Sequence, residues 1–186
     1  MRESQPTEPS ALAGTLLLAH PGSRDQNFRR SVVLLSAHDP NGAMGVVLNR
    51  PTGKRLGQLN PEFALSSLAS VPLYQGGPVD TDRLLLCAWR FHPDGTGFQL
   101  MFGLDPQKAL ELQAEEGMRL RAFLGYAGWS GGQLETELEQ NFWVLSPLMA
   151  NLMDLNQDET LWRSILSGMS HEWKLLVDEP DDPTKN

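Results

Sequence analysis

Gly125-Tyr126-Ala127-Gly128-Trp129-Ser130-Gly131-Gly132-Gln133-Leu134-Glu135 follows directly on the apolar run Met118 to Leu124. Four glycines allow positive φ or close approach of another chain. Trp129 and Tyr126 bury large surface yet still need partners for their N–H and O–H groups. The stretch reads as a built corner where a strand gives way to a helix. Ser130-Gly131-Gly132-Gln133 matches a capping box, with Ser130 as N-cap and the Gln133 side chain reaching back to the Ser130 N–H. In the helix that follows, Leu134 and Leu138 bury one side while Glu135, Glu137 and Glu139 face water.

Upstream of this corner the chain reads as strands. Thr15 to Ala19, Ser31 to Ser36 and Met44 to Asn49 are apolar runs, the last stopped by Pro51, and Asn41-Gly42 between the second and third marks a hairpin. The runs are continuous more than alternating, which predicts a sheet covered on both faces. Lys54 to Ser70 fits short helical turns, and Val71-Pro72-Leu73-Tyr74 reads at best as an edge strand. Leu84 to Arg90 and Gly97 to Phe102 form a second hairpin. Asp105 and Pro106 open a helix that Gly117 follows. In Met118 to Leu124, Arg119 and Arg121 alternate against the apolar positions. Asn141 to Leu145 returns to the sheet, and Asp158 caps a last helix bearing Leu161, Trp162, Ile165 and Leu166.

The chain has 186 residues, net charge −8 and one cysteine, Cys87, read as a small buried hydrophobe inside an apolar run. Residues 1–10 and 178–186 carry −1 and −3, which leaves −4 for the core. We expect one domain over residues 14–170, a disordered tail at 1–13 and a mostly disordered acidic tail at 171–186. An acidic core lacks the positive excess that phosphate contacts need. Arg24, Arg29, Arg30, Arg50, Lys54 and Arg55 are the local exceptions, and no reading helix accompanies them. With no disulfide framework, no apolar spanning run and no leader-like N-terminus, the expected location is the cytoplasm.

Four tempting chemistries each have a plainer reading. Gly128-Trp129-Ser130-Gly131-Gly132 fits the nucleophile-elbow pattern, with Asp154 or Asp158 and then His171 in hydrolase order. That fold needs a parallel α/β sheet, however, and Ser130 is already explained as a cap. His20, His38, His92 and His171 are scattered without metal-ligand spacing, so no metal is expected. Gly76-Gly77-Pro78 lacks the Lys-Ser/Thr of a phosphate loop and reads as a tight turn. Arg50, in Asn49-Arg50-Pro51, suits a carboxylate or phosphate, with an internal ion pair to Glu135 or Asp80 as the favoured reading.

Taken in order, five segments resemble the YqgE/AlgH family of small bacterial proteins. They are Leu18-Ala19-His20-Pro21 with Asp25 and Phe28; Gly42-Ala43-Met44-Gly45 with Val47 to Pro51; Tyr74 to Val79; Gly125 to Trp129 with Gly132 to Glu135; and Asn141-Phe142-Trp143. The match runs from about Gly14 to Gly168. The resemblance implies an α+β fold whose bent, largely antiparallel sheet forms a partial barrel flanked by helices. It implies no established enzymatic activity and no cofactor. One family member is described as a transcriptional regulator of exopolysaccharide synthesis. Many members carry a Leu-His pair after the Gly-Gly-Pro turn, whereas Leu84 to Trp89 here contains no histidine.

The candidate ligand- or partner-binding residues are His20, Asn49, Arg50, Gly76, Gly77, Trp129, Gln133 and Glu135. The expected function is a non-enzymatic binding or regulatory domain, acting through a protein partner or an undefined small ligand. A direct DNA-contacting regulator and a serine hydrolase using Ser130 are the alternatives.

Overall fold

The computed structural model describes residues 12–92, 94, 97–149, 152 and 158–178. In chain order the elements are β1 Leu16–Ala19, β2 Val32–Asp39, β3 Gly42–Val47, β4 Pro51–Arg55, α1 Leu56–Leu59, α2 Pro61–Ala64, a 3-10 turn Ser67–Ser70 and β5 Pro72–Gln75. There follow β6 Val79–Phe91, β7 Phe98–Met101, α3 Pro106–Gln113, β8 Arg119–Ser130, α4 Gln133–Glu139, β9 Trp143–Ser146, α5 Glu159–Met169 and α6 His171–Asp178. The strands join in the order β4-β5-β8-β3-β2-β1-β9, and β6, which also carries β7, branches from β8. All pairings are antiparallel except β5 with β8. The sheet curls into a half-barrel, the α+β architecture anticipated.

Strand periodicity explains why it is covered on both faces. Leu16, Leu18, Val32, Leu34, Val46 and Leu48 pack into one cluster with Leu161, Trp162, Ile165 and Leu166 of α5. Their neighbours Leu17, Ala19, Val33, Leu35 and Val47 point the other way, against Trp129, Leu134 and Trp143. Successive strand residues face opposite sides, so a run apolar at every position needs two cores. A third cluster lies where α1, α2 and α3 cover β5, β6 and β8.

Several expectations are corrected. The corner is a crossing inside one strand: β8 continues through Ser130, and Gly125 bends it with φ 73°. A Cβ on Gly77 would stand 2.2 Å from the Tyr126 carbonyl, so glycine there lets the two segments touch. The strand-to-helix turn is Gly131-Gly132, and Gly132, not Ser130, is the N-cap of α4, in the left-handed region. The reach of Gln133 back to the Ser130 N–H is present at 3.0 Å. Val71-Pro72-Leu73-Tyr74 is not an edge, because β5 lies between β4 and β8; Pro72 is its first residue, where a missing N–H interrupts least. Beyond it, β4 is exposed and built from Pro51-Thr52-Gly53-Lys54-Arg55, which gives no apolar signal. Arg121, one of the two alternating polar positions, is buried between the rings of Tyr74 at 4.3 Å and Trp89 at 4.8 Å. Burial lowers its pKa from the ordinary arginine range.

The expected tails fall mostly outside the described residues, and two of their parts do not behave as tails. Residues 171–178 form α6, whose Val177 is buried and whose Trp173 packs on the α5 core. Leu12 packs against the cluster that contains Trp129 and Trp143, and its N–H donates to His38 Nδ1 at 3.1 Å. Cys87 is buried, as expected, and burial pushes its thiol pKa up. Among the described residues, no helix is long and apolar enough to cross a membrane, and no group of three or more His, Cys, Asp or Glu is placed to hold a metal.

Candidate functional site

The end of β1, the loop from His20 to Ser31, the end of β8, α4 and the entry to β9 enclose a cleft of about 800 Å³. Its floor is an aromatic trio. Phe28 stacks on Trp129 with centroids 6.3 Å apart, and Trp143 meets both edge-on, at 5.4 Å from Phe28 and 6.0 Å from Trp129. Trp129 is only 7 % exposed, which fits its reading as a core residue. Both indole N–H groups donate to one oxygen, Glu137 Oε2, at 2.8 Å each. Gln133 Nε2 donates to Glu137 Oε1 at 3.1 Å. Three donors thus converge on one half-buried carboxylate and fix its orientation.

This overturns the view of Glu137 as a solvent-facing acid. Three glutamates at alternate positions read as a charged face, and that pattern hid the one that turns inward. The overlooked signal was the pair of tryptophans, since each buried indole needs an acceptor. Phe28 and Trp143 also line the site although neither stood among the candidates.

The loop wall is pinned from behind. Asp25 Oδ1 accepts the N–H groups of Asn27 and Phe28 at 2.8 and 3.1 Å, closing a tight turn that presents Phe28. Arg50 donates to the carbonyls of Asn27 and Arg29, and buried Asn49 takes the Val32 N–H at 2.9 Å and donates to Arg30 O at 2.9 Å. These bonds hold Arg30 at φ 55°, unusual for a residue with a side chain. The expected ion pair of Arg50 with Glu135 or Asp80 is therefore absent; backbone carbonyls take its guanidinium instead. Burial lowers the Arg50 pKa, and the charges of Asp25 and Glu159 oppose that shift.

The remaining candidates separate. His20 lines the cleft, its Nδ1 accepting the Gly22 N–H at 3.0 Å and its ring edge-on to Trp173. Trp129 and Gln133 join it there. Asn49 and Arg50 border a second, shallower hollow near Asp158 and Glu159. Gly76 and Gly77 serve the strand crossing: the Gly76 N–H donates to Leu124 O, so it is not offered to a phosphate. Glu135 binds His38 Nε2 at 2.5 Å, and this bond is the main reason its pKa is lowered. Because His38 Nδ1 accepts from Leu12, both ring nitrogens are engaged and the pair works as a tether, not as a base.

Among the described residues, no triad assembles at Ser130. Its hydroxyl donates to Gln133 Oε1 at 3.3 Å. Asp158 caps α5 through Thr160, His171 opens α6, and Asp154 lies outside the described residues. The basic residues are likewise partly committed: Arg30 lies 3.9 Å from Glu159 and Arg55 donates to Ser70 O.

Comparison with known proteins follows the same outline. A family model described as DUF179, AlgH-like, matches residues 16–174. A UPF0301 protein of Streptomyces coelicolor is 38 % identical, covering 97 % of this chain and 98 % of the relative. A UPF0301 protein of Mycobacterium leprae is 33 % identical over 94 % and 90 %. The solution structure of the AlgH protein from Pseudomonas aeruginosa superposes with a TM-score of 0.62 at 34 % identity, over 97 % and 98 % of the two chains. A crystal structure of a Corynebacterium diphtheriae protein gives 0.66 at 23 % identity, over 96 % and 95 %.

Proposed function

The chain belongs to the AlgH-like family, and from that premise we propose that it is a non-enzymatic binding domain whose ligand or partner enters the aromatic cleft. One observation carries the reading: a cavity of about 800 Å³ is floored by three packed aromatics and one carboxylate that three donors hold in place. Small-molecule sites are typically ~300–1,000 Å³, mostly apolar, with a few fixed polar groups. A preformed site of this kind binds without reorganising, which is where affinity is otherwise lost. Hydrolysis is disfavoured because Ser130 hydrogen-bonds Gln133 and lies outside the cleft lining. Direct DNA recognition is disfavoured by the acidic total and because Arg30, Arg50 and Arg55 already have partners within the chain. Any regulatory role would therefore travel through the cleft's occupant, and the protein would act in the cytoplasm.

The test is native mass spectrometry of protein purified gently from its own cells, wild type beside Gln140→Trp. Gln140 is exposed and lines the cleft, so a bulky ring there obstructs part of the cavity from the surface. The expected result is a bound species, small molecule or partner, carried by the wild type and lost from the variant. A species retained equally by both would place binding elsewhere and overturn the reading.

A further inference from the structure

The cleft's charge and lone-pair inventory narrows what it takes. Glu137 Oε2 already accepts two indole N–H groups, which fills its two lone-pair directions; Oε1 accepts one donor and keeps one direction open. Asp25 repeats the pattern, with Oδ1 filled by two backbone N–H groups and no hydrogen bond to its Oδ2 among the described residues. Both carboxylates line the same cavity, whose charged rim otherwise holds Arg24. No cation among the described residues lies within ion-pair distance of Glu137. Around these acceptors the wall mixes aromatic rings with neutral polar groups such as Ser23, Gln140 and Asn141: Phe28 stands on one side, and Phe142 is 52 % exposed. The site thus offers fixed negative acceptors beside aromatic surface.

Resting on the cleft being a binding site, we propose that it takes a small organic cation, an ammonium or guanidinium group carried on an aromatic or branched apolar body. The cation donates to the open position on Glu137 Oε1, where a charge-assisted hydrogen bond is roughly twice as strong as a neutral one. The apolar body lies against Phe28 and Phe142, and their ring faces add attraction for a nearby cation. A carboxylate of the same shape is repelled by Glu137, which the tryptophans prevent from turning away. A neutral hydroxyl satisfies the lone pair and leaves the charge unanswered. Selectivity therefore runs from cation to neutral to anion.

The probes are 2-phenylethylamine, 2-phenylethanol and 3-phenylpropionate, which share a ring and differ in charge. Each is titrated into the full-length, nitrogen-15-labelled protein at neutral pH, and the indole N–H resonances of Trp129 and Trp143 report occupancy beside Glu137. The amine is expected to bind at least fivefold more tightly than the alcohol, with the propionate weakest, and Glu137→Gln should bring amine and alcohol within twofold. The wild-type comparison stands alone should that variant fold poorly. Equal or tighter binding of the alcohol or the propionate at these two indoles overturns the cation assignment and leaves the cleft as a binding site. Failure of all three probes to move either indole up to about 10 mM, where even millimolar affinity would show, also overturns it. In that case the bound species followed with Gln140→Trp decides the cleft separately.

Discussion

Glu137→Ala removes the acceptor on which the cleft floor depends. In the native protein its Oε2 takes the N–H groups of Trp129 and Trp143, both 7 % exposed. Leaving a buried donor without a partner costs about 1–3 kcal/mol. The low end applies here, because the cleft lets water approach the vacated position. Two indoles at about 1 kcal/mol each give about 2 kcal/mol in all, with little added by Gln133, whose amide is exposed. For a domain of this size that corresponds to a Tm lower by about 4–8 °C. The assay is urea unfolding followed by tryptophan fluorescence, with Glu139→Ala as the control from the exposed side of α4. The control should stay within about 0.5 kcal/mol of wild type. Glu137→Ala matching the control would show that the indoles do not rely on the carboxylate, and the account of a fixed floor would fail.

Asn49→Ala strands the Val32 N–H and the Arg30 carbonyl, so it should cost about 2–4 kcal/mol and speed hydrogen exchange across residues 20–31; unchanged exchange there would separate Asn49 from the cleft wall. Gly77→Ala forces a methyl within 2.2 Å of the Tyr126 carbonyl at φ 154°, and should lose several kcal/mol or fail to accumulate as folded protein. Since the Glu135 pKa is lowered on folding by its bond to His38, the stabilisation is present above the unfolded value of about 4.3 and is lost as pH falls through the lower folded value. Glu135→Gln should thus destabilise above about pH 5, less so at high salt, and converge with wild type in acid-unfolding curves at lower pH.

The sequence revealed the parts of this fold that packing alone dictates. The apolar runs of β1, β2 and β3 announced a doubly covered sheet, and Asp105 and Asp158 marked the starts of α3 and α5 because an N-cap is a local signal. What it hid depends on partners distant in the chain. No local pattern distinguishes β4 from a loop, since only its pairing with β5 orders it. Arg121 alternates with apolar residues in its strand, and no local signal shows that Tyr74 and Trp89 close over it from other strands. Ser130 looked like a cap because its spacing to Gln133 is right, but a glycine in the left-handed region took that position.

The residues of the candidate cleft were legible in the same uneven way. His20, Trp129 and Gln133 converge on the cleft, and Asn49 and Arg50 brace its wall from behind. Glu135 and Glu137 carried the same residue type two positions apart, and the sequence could not assign them: one turns to His38 and the other to two indoles. The fate of each follows from the helical offset of about 200° between them, which only the packed neighbours translate into a direction.

Binding, as proposed, happens against the Glu137, Trp129 and Trp143 floor. The most direct measurement adds the small-molecule fraction of the protein's own cells to the nitrogen-15-labelled chain and follows its indole N–H resonances. Saturable shifts are expected at Trp129 and Trp143, with Trp89, packed in the core against Arg121, unmoved. Shifts confined to Trp89, or to backbone amides around Thr52 and Lys54 at the second hollow, with the two cleft indoles still, would contradict it.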